Sequence, residues 1–301
     1  MSERSDESAS RPIERLLVAG CGDLGTRVAL LAAERGATVF GLRRDPSGLP
    51  APIVPLAGDL ASGPFELPDR LDSVVLAVAP SRSGGPNLSR TELYERTYLA
   101  SARSLVAALV ATGQEVQRLV FTSSTSVYGE DEGGAVDERS STGHASATGR
   151  VLVATEDLLA ATPFRATSLR LSGLYGPGRT SLVERVRSGA ATYSVDPERI
   201  TNRIHVDDAA RAVVHLLTHT DAPTVVCGTD REPVLESTVL RWLAERLGVE
   251  PPRPSTASDA QSRRGEHTRG AGKRVSSALL VGSGFEHRYP TFREGYAELL
   301  H

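Results

Sequence analysis

Several things are scarce in this 301-residue chain. Lys273 is its only lysine, so nearly all of its 34 basic side chains are arginines, and against 37 acidic residues they leave a formal charge of −3. That balance gives no electrostatic case for nucleic acid or a membrane surface as a partner. Cys21 and Cys227 are the only cysteines, too few for a disulfide framework or a zinc cluster. They read as small apolar fillers, and a reducing cytoplasm is the expected location. No apolar run approaches the ~20 residues of a bilayer span, and no internal repeat is visible. Residues 1–12, rich in Ser, Glu, Asp and Arg, have no apolar core; they are expected to be a disordered tail, not a secretory signal or an anchor.

The chain is organised around a glycine-rich turn. Leu16, Leu17, Val18 and Ala19 form a short apolar run, as in a strand buried on both faces of a parallel sheet. Gly20, Cys21, Gly22, Asp23, Leu24 and Gly25 follow directly. In such a turn Gly20 permits the tight bend, Gly22 lets a pyrophosphate approach the backbone, and Gly25 lets the next helix pack closely on the strand. Leu24, Val28, Leu31 and Ala32 then recur at helical spacing up to Gly36, and the helix N-terminus offers free N–H groups to an anion. A second strand over 37–42 completes a β-α-β unit. It ends in Arg43 and Arg44, where an acid would receive the ribose 2′-hydroxyl of NAD. A guanidinium there suits a 2′-phosphate, so NADP is the expected cofactor in preference to NAD. Two arginines after a strand also suit a plain solvated turn.

Beyond Arg44, Ile53, Val54 and Leu56 suggest a third strand, followed by Asp59 and Leu60. The Asp59 carboxylate could accept an adenine amino group or serve only its own turn. Residues 74–80 form the most apolar run and read as a central strand ended by proline, with Ala77, Val78 and Ala79 a small-residue exit suited to close passage of a dinucleotide. A Ser/Gly/Pro loop over 81–87 precedes a long amphipathic helix closing near Gly113. The strand at 118–121 delivers residues 122–126 to the carboxyl edge of the sheet, where Ser123 is a cofactor-binding candidate. A polar loop over 130–147, a helix over 151–159 and a sixth strand over 166–171 follow. The alternation predicts an α/β fold, a doubly wound parallel sheet of Rossmann type over 13–171. Residues 172–301 are expected to form mainly a smaller C-terminal α/β substrate lobe, with some segments returning to the first domain. That part contains a loop-rich stretch over 172–202, a helix over 206–217, a strand at 225–227 and a helix around Leu235 to Leu247. The Arg-rich stretch 251–273 is a flap over a site or a solvated loop.

Three motifs carry a family likeness. Residues 122–129 (TSSTSVYG), 170–179 (RLSGLYGPGR) and 202–210 (NRIHVDDAA) occur in order. With the glycine turn, the chain resembles the short-chain dehydrogenase/reductases, in particular the extended branch of NAD(P)-dependent epimerases and dehydratases. The likeness covers nearly everything after the tail. The superfamily's chemistry rests on Tyr-x-x-x-Lys in the helix after the fifth strand, and alignment places Thr148 and Leu152 at those positions. Ala19 also replaces the branch's first glycine, and Thr97 its helix asparagine. The chain is thus similar to the atypical subgroup that keeps the fold and the dinucleotide motif without the dyad.

The resemblance makes Ser124 the residue that would hold a substrate oxygen beside the nicotinamide, although a serine alone is a poor proton donor near neutral pH. Tyr128 has the right functional group for an acid, but the family uses this tyrosine mainly to line the pocket. His144 is a further proton-transfer candidate. Tyr175 and Arg179 are substrate-binding candidates, Arg179 as an anion contact; the Gly-Pro-Gly run between them rules out a helical Tyr–cation dyad. His205 and Asp207 match a structural motif of the family, and no cluster has metal-ligand spacing. The expected function is NADP-dependent oxidoreductase or epimerase-like action on a carbonyl or hydroxyl of a small polar metabolite. The alternative is a non-catalytic NADP-binding sensor or regulatory protein. No nucleic acid or membrane partner is expected, and a homodimer is left open.

Overall fold

Apolar runs too short for helices and rich in Val, Leu and Phe build the central sheet of this chain. Its computed structural model describes residues 11–80, 88–255 and 270–300. In chain order the strands are β1 (Arg15–Ala19), β2 (Thr38–Arg43), β3 (Val54–Ala57), β4 (Ser73–Leu76), β5 (Arg118–Ser124), the short β6 (Glu132–Val136) and β7 (Ala166–Leu171). Then come β8 (Gly173–Tyr175), β9 (Thr192–Tyr193), β10 (Ile200–Thr201), β11 (Arg203–His205), β12 (Val225–Gly228), β13 (Val234–Leu235), β14 (Arg253–Pro254) and β15 (Gly272–Val275). Seven of them form one sheet in the order β12-β7-β5-β4-β1-β2-β3, with parallel ladders from β5 through to β3. All four residues of β4 are buried at the centre of that order, as a strand covered on both faces must be. The chain winds outward on either side of β1 and β4, which makes the exit of β1 the switch point where open α/β sheets receive ligands.

The helix α1 (Asp23–Glu34) buries Leu24, Val28, Ala29 and Ala32. The long helix expected up to Gly113 is interrupted: α2 (Arg90–Tyr94), opened by a Ser89/Glu92 capping box, runs into a π-helical stretch at Glu95–Ala100 before α3 (Ser101–Ala111). The extra residue per turn resets which face looks inward and seats Tyr98 edge-on against Phe121. α4 (Ala147–Ala160) starts four residues earlier than its apolar pattern, because Ser146 caps it by accepting the Gly149 N–H. No helix among the described residues is long and apolar enough to cross a membrane.

The chain divides into two compact units, and neither is a continuous stretch. The first comprises residues 1–127, 145–170 and 210–226; the second 128–144, 171–209 and 227–301. A single cut after Leu171 therefore does not separate them. The tail expected over 1–12 lies outside the described residues except for Arg11 and Pro12, and Arg11 donates its N–H to the Thr218 carbonyl. The 81–87 loop and most of the 251–273 stretch also lie outside them.

In the second unit, the polar loop expected over 130–147 contains β6. Its Gly133 and Gly134 gave no strand pattern, but Glu130 accepts the N–H groups of Glu132 and Gly134, and β6 pairs in parallel with β15 (Gly272–Val275). Those two strands belong to a small sheet, completed by β10 and β13 (Val234–Leu235). The unit's core gathers Tyr175, Val183, Leu240 and Leu243 with Phe292 and Tyr296, bringing α5 (Ser181–Arg187), α6 (Glu236–Leu247) and the helix Phe292–Ala297 together.

Candidate functional site

The glycine turn of the first unit is fixed on both sides. Gly20 and Cys21 donate their N–H groups to the Leu42 carbonyl at the end of β2, and the Gly22 N–H reaches back to the Gly20 carbonyl. Gly20 has φ +86, and a Cβ there would lie 2.8 Å from the Val78 nitrogen. Gly25 is equally constrained, since a Cβ would lie 2.9 Å from the Gly20 carbonyl oxygen and 3.0 Å from Val18. Gly22 differs from both. Its φ of −88 suits any residue, and a Cβ there would meet none of the described residues closer than 4.0 Å. Packing thus explains Gly20 and Gly25, whereas no described neighbour explains Gly22. Gly22 also opens α1 without a side-chain cap, so the N–H groups of the first turn, from Asp23 onward, meet no side-chain acceptor from the N-cap residue. Asp23 is exposed and takes Arg27 at 3.1 Å, while Leu24 is buried.

Residues around the turn sort by exposure. Arg43 is half-buried, and its Nη1 donates to the Cys21 carbonyl at 3.4 Å, tying the end of β2 to the turn; Arg44 is exposed. Asp59 accepts the Ala61 N–H at 3.0 Å, and its other carboxylate oxygen lies 3.7 Å from Arg96. Burial pushes the Asp59 carboxyl up, but hydrogen bonds from Ala61 and Ser62 and the charges of Arg96 and Arg44 leave it below its ordinary value. Leu60 is buried beneath this bend. Ala77, Val78 and Ala79 leave β4 half-buried to exposed, with the Ala77 N–H on the Ala19 carbonyl. Small exits from β1 and β4 thus lie side by side. The Cys21 thiol is buried, which pushes its pKa up.

At the exit of β5, the two serines face different partners. The Ser123 hydroxyl donates to Glu156 at 2.6 Å, and Glu156 is held by Arg170 through Nε at 3.1 and 3.2 Å and Nη2 at 2.6 Å. All three are buried, and the Ser123 hydroxyl is engaged in this internal network. Nothing in local spacing announced Glu156 or Arg170 as its partners; they come from α4 and β7. Ser124 is half-buried and accepts the Ser126 N–H at 3.1 Å, which leaves its own O–H to donate. On α4, Thr148 is half-buried and shares a hydrogen bond with Ser146 at 3.2 Å, while Leu152 is fully packed in the core.

Within the second unit, Tyr128 is buried and its hydroxyl shares a hydrogen bond with the Cys227 thiol at 3.1 Å. Lys273, from β15, donates its ammonium to the Tyr128 carbonyl at 2.5 Å. Burial pushes Lys273 below its ordinary pKa against the pull of Asp131. Its place beside Tyr128, 145 residues earlier in sequence, depends on the pairing of β15 with β6, which no motif revealed. His144 is exposed, and its backbone crowds Gly129. Tyr175 is buried, with its hydroxyl donating to the Thr291 carbonyl at 3.4 Å and its ring on Tyr296 and His205. Burial pushes its pKa well up, with Asp230 and Tyr296 adding to the rise. Arg179 is half-exposed in a turn closed by its N–H on the Gly176 carbonyl.

Comparison with known proteins places this geometry. A solved structure from Methylobacillus flagellatus assigned to the NAD-dependent epimerases/dehydratases is 30% identical, covering 97% of this chain and 98% of that one, with a TM-score of 0.75. The human epimerase family protein SDR39U1 (isoform 2), solved with NADPH, shares the fold at a TM-score of 0.81 and 20% identity, over 95% of this chain and 99% of that one. Protein YeeZ of Escherichia coli K12 is 28% identical over 291 residues, 92% of this chain and 97% of the relative. Residues 16–228 match the model of the NAD dependent epimerase/dehydratase family, and the chain belongs to that family.

Proposed function

We propose that this chain binds NADP in preference to NAD and acts as an oxidoreductase or epimerase-like enzyme on a carbonyl or hydroxyl group of a small polar metabolite. The observation that carries this reading is Gly22. Its side-chain position meets none of the described residues closer than 4.0 Å at the uncapped start of α1, where backbone N–H groups favour a phosphate. Gly20, Gly25, Asp23 and Leu24 shape that turn, Ala77 to Ala79 border it, and Asp59 and Leu60 follow β3 on the Arg44 side. Arg43 holds the turn through the Cys21 carbonyl and Arg44 is the exposed cation beside it, a division of labour that suits a 2′-phosphate.

When bound, the nicotinamide supplies or accepts the hydride. Ser124 contributes orientation: one lone pair is occupied by the Ser126 N–H, and its O–H points the remaining donor at a substrate oxygen. A serine does not release a proton near neutral pH, so a water moves it. Tyr175 and Arg179 belong to the substrate side of this reading. Two free, buried cysteines fit a cytoplasmic location. The second reading, a non-catalytic NADP-binding sensor, is favoured by Leu152, whose packed side chain occupies the place aligned with the family's lysine.

Titration of the purified chain with NADPH and with NADH, followed by nicotinamide fluorescence, tests the cofactor. Tighter binding of NADPH is expected, and equal or absent binding overturns the preference. Hydride transfer to a panel of carbonyl metabolites then separates enzyme from sensor.

A further inference from the structure

Two buried groups of the second unit stand close without meeting. Arg203 lies on β11 and Asp230 just after β12; the Asp230 N–H donates to the Arg203 carbonyl at 2.7 Å, and the Thr229 hydroxyl donates to the same oxygen at 3.2 Å. Both side chains are more than nine-tenths buried, at 6% and 1% exposure. Arg203 Nη2 donates to Thr201 Oγ1 at 2.5 Å, and the guanidinium lies over the Phe292 ring, 5.5 Å from its centroid. Asp230 Oδ1 accepts the Glu232 N–H at 3.1 Å. Arg203 Nη1 and Asp230 Oδ2 have no hydrogen-bond partner among the described residues, so the pair is not joined. A buried guanidinium and carboxylate left apart are costly, whereas a neutral acid beside a guanidinium is tolerated.

Charged and titratable groups reach this place from every side. Glu232, ion-paired to Arg293 at 2.6 Å, comes from the same loop, and Glu294 and Tyr296 from the helix Phe292–Ala297. Tyr175 comes from β8, with His205 edge-on to its ring, and His287 Nε2 lies 2.8 Å from the Thr229 carbonyl. Burial drives the Asp230 carboxyl up, Arg203 pulls it back, and the acid titrates at about 7.

We propose that Asp230 is a proton-operated switch that sets the position of the Arg203 guanidinium in the second unit. Protonated, the neutral acid leaves the guanidinium on Thr201 and over Phe292. When the proton passes to solvent, the carboxylate draws Nη1 onto Oδ2 and the guanidinium leaves the ring. Phe292 carries the change onward, because Trp242 packs against it edge-on at 5.5 Å. Trp242 is the only tryptophan of the chain, so its emission reports on this cluster alone.

The experiment is a titration of Trp242 emission in the full-length chain from about pH 5 to about pH 9, with far-UV circular dichroism as the fold control. One transition near neutrality is expected in the natural chain and none in Asp230→Asn. Arg203→Met should raise the midpoint by removing the cation, and Glu232→Gln should lower it by removing a neighbouring negative charge. A flat curve in the natural chain overturns the proposal. So does an unchanged transition in Asp230→Asn, which assigns it to His205 or His287. Should Asp230→Asn not fold, the two midpoint shifts decide: midpoints that stay put in both variants also overturn it.

Discussion

Gly20 and Val78 are packed backbone to backbone: a Cβ on the glycine would lie 2.8 Å from both the Val78 nitrogen and its Cγ1. Gly20→Ala must also hold φ +86, so strain and overpacking together should cost roughly 2–5 kcal/mol in chemical denaturation. Gly22→Val meets no such obstacle and should cost only about 1 kcal/mol as a poorer N-cap, yet lose NADPH binding. Tight NADPH binding by a folded Gly22→Val chain would mean that the turn is not the phosphate site.

The two arginines after β2 should separate by ligand. Arg44→Met removes an exposed cation and should weaken NADPH by roughly 10–100-fold, the worth of one or two charge-assisted hydrogen bonds, while leaving NADH unchanged. Arg43→Met breaks the tie to the Cys21 carbonyl and should weaken both dinucleotides. Calorimetric titration of the four combinations checks this, and equal losses for both cofactors in Arg44→Met would refute the phosphate role.

Arg170→Met leaves the Glu156 carboxylate buried without its cation, and the expected loss is about 3–5 kcal/mol. Arg170→Met with Glu156→Leu should recover much of it, because the orphaned charge is gone. Denaturation of the single and double variants measures the coupling. A double variant no more stable than Arg170→Met would show that shape, and not charge, holds this part of the first unit.

Asp230 also makes a prediction about stability. Its folded pKa of about 7 lies above the ordinary 3.8, so the folded chain keeps a proton that the unfolded chain releases. The stability this group contributes is full below about pH 4 and is lost as pH rises to about 7, at up to about 1.4 kcal/mol per pH unit. Asp230→Asn should remove that slope from denaturation curves taken across the same range. An unaltered slope would place the proton uptake elsewhere.

The sheet was legible wherever a strand is an apolar run closed by glycine or proline, as at β1 and β4. The turn after β1 was legible for the same reason: Gly20 and Gly25 are dictated by local packing, and Gly22 by what packing leaves over. β6 was not legible because its stability comes from pairing with β15, more than a hundred residues later, and its own glycines carry no pattern. The π-helical stretch was hidden by apolar spacing that fits a plain helix on either side of it. Ser123 was read by position in a motif, and position did not tell that Glu156 and Arg170 would claim its hydroxyl. Arg203 stands in the 202–210 motif, but spacing gives neither it nor Asp230 a role, because burial gives both their chemistry.

The chain crosses between its two units several times, leaving the first after Val127, returning at Ala145, leaving again after Arg170 and returning once more over 210–226. No single breakpoint in the gene can therefore exchange one unit for that of a relative, and a recombination event would have to replace three separate stretches at once.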